Sequence, residues 1–257
     1  MIDKTIEKIN PTEKNDNNLY KLMNEETIKV INDINLFKKY LDKQSTFDKY
    51  SVGNTLLILS QAPNSKQLNK TKQSLKDIEV SLIQPNKNSN FKNYKLFSSE
   101  RKAKPNKYYE DNKLLLKGFL YMCPVDIKVV GELENEKNVF WNNEMKLLYI
   151  KKGCEYKDLF EGLARELTKE ELGSKNTELE KFKCECISYM ILKKYNLDVS
   201  NYNFNKIPKE FIKTNPKDIR KELNELREGL NIFSNRVNSF FNDLYKTNIR
   251  KTKYKGR

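Results

Sequence analysis

The chain has 257 residues, with 49 Lys+Arg against 35 Asp+Glu and a formal net charge of +14. It contains no histidine, which excludes Ser-His-Asp triads, Cys-His pairs, histidine-ligated zinc and a histidine general base. Aromatics make up 11% of it, enough to favour a packed core over disorder, and its longest aliphatic run, Leu56-Leu57-Ile58-Leu59, falls far short of the roughly 20 residues that span a bilayer.

Residues 1–18 are polar and expected to fray, within a polar N-terminal extension over 1–24. Over 25–41 the apolar positions Ile28, Ile31, Ile34, Phe37 and Leu41 recur at helical spacing and predict one helix. A second helix is expected over 54–61, after Phe47 and Tyr50 and before Pro63. Alternation of Ile78, Val80 and Leu82 predicts a strand over 76–84, and further strands are expected over 114–122 and 126–130. The segment 139–150 reads as a hairpin turning at Asn142-Asn143.

After Gly153 the pattern becomes helical. Leu159, Phe160, Leu163, Ala164 and Leu167 share one face of a helix over 155–172, which Gly173 is placed to end. Another helix is expected over 177–195, with Phe182, Cys186, Tyr189 and Met190 inward. Pro216 opens a long final helix whose residues Ile219, Leu223, Leu226, Leu230, Phe233, Val237, Phe240 and Leu244 step alternately by four and three. Such a seam either pairs with a partner as a coiled coil or packs along its own domain. The expected class is α+β: N-terminal helices, a small mostly antiparallel sheet, and a helical C-terminal part ending in a long amphipathic helix. The corresponding segments are 25–110, 111–245 and a basic tail over 246–257.

The excess positive charge suits a nucleic-acid partner, because neutralised phosphates release counterions. A chain this rich in Lys and Asn also matches AT-rich coding, so clustering carries more information than the total. Between residues 85 and 109, seven basic residues (Lys87, Lys92, Lys95, Arg101, Lys102, Lys104, Lys107) stand against Glu100 alone. Phe91, Tyr94, Phe97, Tyr108 and Tyr109 are interleaved with them. Cations that follow a backbone and rings that stack on bases are what a single-strand binder needs; the alternative is a solvated basic hairpin whose aromatics anchor in the core. Residues 246–257 add six basic residues and no acid, as an unstructured end able to touch phosphates does.

Three segments resemble one family. Tyr50-Ser51-Val52-Gly53-Asn54-Thr55-Leu56-Leu57-Ile58-Leu59-Ser60-Gln61-Ala62-Pro63 is similar to the YS-x-x-N-x-LLI-x-x-Q-x-P signature in the N-terminal single-strand-DNA-binding region of ArdC-type antirestriction proteins. Cys184-Glu185-Cys186-Ile187-Ser188-Tyr189, followed by Tyr195-Asn196-Leu197-Asp198 and Tyr202, is similar to the E-S-x-A-Y … GLD … Y segment of their zincin-like protease domain. The seam over 219–244 resembles the helix that follows there. The resemblance spans roughly 26–244 and implies a protein of a plasmid, phage or other mobile element.

It also implies an HExxH helix between those anchors, where two histidines one turn apart hold zinc and the glutamate activates water. This chain reads Arg165-Glu166-Leu167-Thr168-Lys169 at that place. The glutamate remains as Glu166, both histidine positions carry cations, and the carboxylate ligand expected from the next helix corresponds to Glu185. One carboxylate beside two cations does not hold zinc. Ion pairs of Arg165 and Lys169 with Glu185 and Glu166 are the expected replacement, and a solvated helix face with an accidental RE-x-x-K pattern is the alternative. The resemblance therefore implies a catalytically inactive protein.

No replacement site suggests itself. Cys184 and Cys186, two apart on a helix, point about 200° apart and cannot chelate together; with Cys123 and Cys154 they read as ordinary thiols of a reducing cytoplasm. Residues 1–18 show no apolar signal segment, and no glycine-rich phosphate loop is present. No metal, cofactor or membrane is expected. The expected partners are nucleic acid, single-stranded DNA first, and a host defence or conjugation protein, the latter reached through the inactive groove or the heptad helix.

Overall fold

The computed structural model describes residues 11–64, 77–83, 91–97, 110–121, 123–133, 137–173 and 177–255. Three helices come first: α1 (Pro11–Asn32), α2 (Ile34–Thr46) and α3 (Val52–Gln61). The single helix expected over 25–41 is in fact divided. Asp33 adopts an extended conformation, and its carboxylate accepts the backbone N–H groups of Asn35 and Leu36, so it ends α1 and caps α2. Ile28, Ile31, Ile34 and Phe37 keep their spacing across this break, which is why periodicity alone passes over it. The helix also begins well before residue 25, so residues from Pro11 onward belong to α1 rather than to a frayed end.

Strands β1 (Asp77–Ile83) and β2 (Phe91–Phe97) form an antiparallel pair. α4 (Asn112–Leu120) then occupies the place where a strand was expected over 114–122. Asp111 caps it by accepting the Leu114 N–H at 3.0 Å. Leu115, Gly118 and Phe119 are its buried residues, a three-and-four spacing that the run Leu114-Leu115-Leu116 hides. Gly118 lets α4 approach the last helix: a Cβ there would lie 3.3 Å from Val237 and Phe240.

β3 (Asp126–Val130), β4 (Val139–Asn142) and β5 (Leu147–Lys151) make a second sheet in the order β3-β5-β4. β3 runs parallel to β5, and β4 antiparallel to it. The hairpin closes through four residues, 143–146, instead of a two-residue turn at Asn142-Asn143. Asn142 accepts the N–H groups of Glu144 and Met145, and Lys146 takes a positive φ of 52°.

α5 (Tyr156–Glu171), α6 (Glu178–Lys194) and α7 (Pro216–Lys255) complete an α+β fold. Gly173, at φ 61°, ends the α5 segment as its sequence position predicts. Thr177 and Glu180 form a reciprocal capping box on α6, worth about 1 kcal/mol. α7 continues through Lys255, so residues 246–255 of the basic segment expected as a loose tail belong to this helix.

One buried cluster draws on α1, α2 and α3, on the second sheet and on α4 through α7. Its centre is aromatic, with the Phe119 ring meeting Phe160, Tyr195 and Phe233 at 4.8–5.5 Å. Ile219, Leu223, Leu226, Leu230 and Val237 are fully buried and Phe233 is nearly so. The heptad seam is consumed by the chain's own core and is not available for a coiled coil. A smaller cluster joins Val80 and Leu82 of β1 to Leu19, Met23, Phe47, Leu57, Ile58 and Ala62.

Candidate functional site

Two polar centres follow from this architecture. The first is the face shared by α5 and α6. Arg165 and Lys169 lie one turn apart on α5, and α6 packs beside it. Arg165 pairs with Glu185 of α6 and, at 3.2 Å, with Glu161. Its guanidinium lies 4.3 Å from the centre of the Tyr202 ring. Burial works against the Arg165 charge, yet Tyr202, Glu185 and Glu161 outweigh it and raise its pKa. Burial likewise holds Glu185 above the usual carboxylate range, with Arg165 pulling the other way.

Lys169 pairs with Glu166, which is buried and whose second oxygen accepts the Trp141 N–H of β4 at 3.0 Å. The glutamate is thus bound on both sides. It satisfies an edge amide of the sheet and neutralises a cation, which leaves it no free oxygen to activate water. The residues at 165, 169 and 185 do not fit a zinc ion, since two are cations and the remaining carboxylate is held by one of them. Among the described residues, no three His, Cys, Asp or Glu gather as ligands would. Ser188 and Tyr189 of the same segment are structural: the Ser188 hydroxyl donates to the Ala164 and Cys184 carbonyls, and the Tyr189 hydroxyl to Asp42 at 2.6 Å.

The polar residues of the 50–63 segment are also positioned by the fold. Ser51 caps α3 by accepting the Asn54 N–H. Asn54 and Gln61, two turns apart on α3, each grip one residue of β1 through both backbone groups. Asn54 donates to the Ile83 carbonyl and accepts its N–H, both at 2.9 Å. Gln61 does the same with Ser81 at 3.0 Å. Two side-chain amides therefore replace a neighbouring strand along the outer edge of β1.

The second centre is a cleft of about 1170 Å³ between α1, the start of α3, β1 and the first three turns of α7. Lys49, Lys217, Arg220, Lys221 and Arg227 line it, together with Tyr20 and Tyr50. The four α7 cations fall on one face, at spacings of three, one and six, opposite the buried Ile219, Leu223 and Leu226. Glu225 is the one acid among the described lining residues, and Lys183 holds it. The two arginines are unusual. Arg220 donates to Asn24 at 2.7 Å and to Thr27 at 3.2 Å, and burial lowers its pKa. Arg227 donates to the Tyr50 carbonyl at 2.8 Å. Neither has a carboxylate partner among the described residues, so neutral oxygens aim two partly desolvated cations into the cleft. The positive end of α3 faces the same space.

Of the residues expected to bind nucleic acid, Lys87, Arg101, Lys102, Lys104 and Lys107 lie outside the described residues. Phe91, Lys92, Tyr94 and Lys95 fall on β2, where the register sets Lys92 opposite Leu82, Tyr94 opposite Val80 and Lys95 opposite Glu79. The cleft cations were not legible as a cluster, because they alternate with acids and apolar residues along the sequence. Read at helical spacing, the α7 set was there to be found, whereas Lys49 and Tyr20 join it only through folding. No helix among the described residues is long and apolar enough to cross a membrane. No family model matches the chain, and no curated protein or solved structure matches it either, so the likeness to ArdC-type proteins stands on the three quoted segments alone.

Proposed function

We propose that this protein binds nucleic acid, single-stranded DNA first, in an antirestriction or DNA-transfer role for a mobile element, and that it is catalytically inactive. The observation that carries the binding is the cleft, where Arg220 and Arg227 are held by neutral acceptors and have no counter-ion among the described residues. Placing cations in a partly dry wall costs free energy, and a phosphate bound there offsets it. Lys49, Lys217 and Lys221 extend the positive surface, while Tyr20 and Tyr50 offer ring faces to unpaired bases. The composition of the basic and aromatic stretch 87–109 supports the same reading. Inactivity is supported by the cations at 165 and 169 and by the double engagement of Glu166. The mobile-element role is supported by the likeness of the 50–63 and 184–202 segments.

Titration of a fluorescent single-stranded oligonucleotide and its duplex at two salt concentrations tests this reading. We expect micromolar or tighter binding, a preference for the single strand, and a steep loss of affinity between low and physiological salt. Affinity that ignores salt, or its absence at low salt, contradicts the proposal.

A further inference from the structure

Two of the sheet edges are closed by side chains. Asn54 and Gln61 cap β1, and α5 seals β4. There Glu166 takes the Trp141 N–H, and a Cβ on Gly162 would lie 2.8 Å from the Val139 Cβ. β3 is treated differently. Ile127 and Val129 stand in register with the buried Leu148 and Ile150, on the core side of the sheet, yet they are 38% and 62% exposed. The Lys152 N–H donates to the Val130 carbonyl, which directs the N–H and C=O of Val130, Lys128 and Asp126 towards β5. Those of Ile127 and Val129 then point outward along an edge that no strand among the described residues pairs with.

We infer that this edge pairs with β3 of a second copy of the chain, antiparallel across a two-fold axis at Ile127, joining two three-stranded sheets into one of six. Charge selects that register. With Ile127 opposite its own copy, Asp126 stands opposite Lys128 of the second chain, and the pair occurs twice by symmetry. Within its own chain neither residue has an ion-pair partner among the described residues; Lys128 has only the Tyr149 ring, at 6.0 Å. Centring the pair on Val129 would set Asp126 opposite Glu132, a like-charge contact. Centring it on Lys128 keeps the outward N–H groups in step but opposes two lysines and leaves Asp126 facing Val130. In the chosen register the outward-facing residues meet each other, Ile127 with Ile127 and Val125 with Val129. Pro124 falls at a position whose missing N–H is not required.

This inference is independent of the nucleic-acid reading and is tested without nucleic acid. Light scattering on the full chain over a rising concentration series should show the mass passing from one copy to two. Lys128→Asp should weaken the dimer about tenfold or more, and the exchanged variant Asp126→Lys/Lys128→Asp should restore it. Amide hydrogen exchange on the unaltered protein supplies a readout that no substitution can confound: protection of the Ile127 and Val129 N–H groups should rise with concentration. A mass of one copy throughout, a dimer indifferent to Lys128→Asp, failure of the exchanged pair, or concentration-independent exchange at both amides each overturns the inference.

Discussion

Asn54 shows how much one side chain can decide in this protein. Its amide completes both backbone bonds of Ile83, so Asn54→Ala strips two partners from a partly buried strand edge. We expect a loss of about 1–3 kcal/mol in urea unfolding; a change within a few tenths would show that water serves equally well there. A second residue-scale test concerns the loop after α6. Asp198 accepts from Lys157 and from the Ser200 N–H, which depress its carboxyl to about 2. Its contribution is therefore present above the ordinary Asp range and is lost as pH falls towards 2. Carboxyl chemical shifts should report that low titration and its partial rise towards the ordinary range in Lys157→Ala, where the Ser200 hydrogen bond remains. A normal Asp198 titration in the unaltered protein would contradict the pairing. The thiols follow burial: desolvation pushes Cys184 up to about 12 and Cys186 well above its usual value, so alkylation should reach the partly exposed Cys123 and Cys154 before either.

Contact between elements depends on a few close approaches. At Gly162, α5 lies against β4 so tightly that a methyl group would meet Val139 Cγ2 at 2.7 Å and its Cβ at 2.8 Å. A β-branched neighbour cannot swing away at its own Cβ, so Gly162→Ala should cost about 1–3 kcal/mol and loosen the Glu166 bond to Trp141. Val139→Ala removes the Cγ2 contact but keeps the Cβ one, so it should recover only part of that loss. Much at this scale was readable in advance: α3, β1, β3, α5, α6 and α7 all announce themselves by period, cap or bounding Gly and Pro. What was not readable has physical causes. A cap inside a continuous apolar stripe splits α1 from α2, and Leu114-Leu115-Leu116 satisfies either period. The Arg165–Glu185 and Lys169–Glu166 pairs could be anticipated only after the neighbouring segments suggested the helix pairing. Arg165→His together with Lys169→His, with Glu185 opposite, should convert that face into a zinc site near one metal per chain. A folded double variant without zinc would count against the zincin-like reading.

For the molecule as a whole, the sum of charge says less than its placement. The net charge of +14 is visible at once and is shared by many lysine-rich chains. The cleft exists because α7 carries four cations on the face opposite its buried seam and because α1 and the α2–α3 connection bring Tyr20, Lys49 and Tyr50 to the same space. Lys49, Lys217 and Lys221 are exposed, so replacing all three by Ala should leave the fold intact, unlike changes at Arg220 or Arg227. The most direct measurement is the affinity of this triple variant for a single-stranded oligonucleotide, followed across a salt series beside the unaltered protein. The account predicts at least a tenfold loss at low salt and a log–log salt slope smaller by about two units, from roughly 0.7 per lost phosphate contact. Equal affinity and an equal slope in the two proteins would place any nucleic-acid binding elsewhere and contradict the assignment of the cleft.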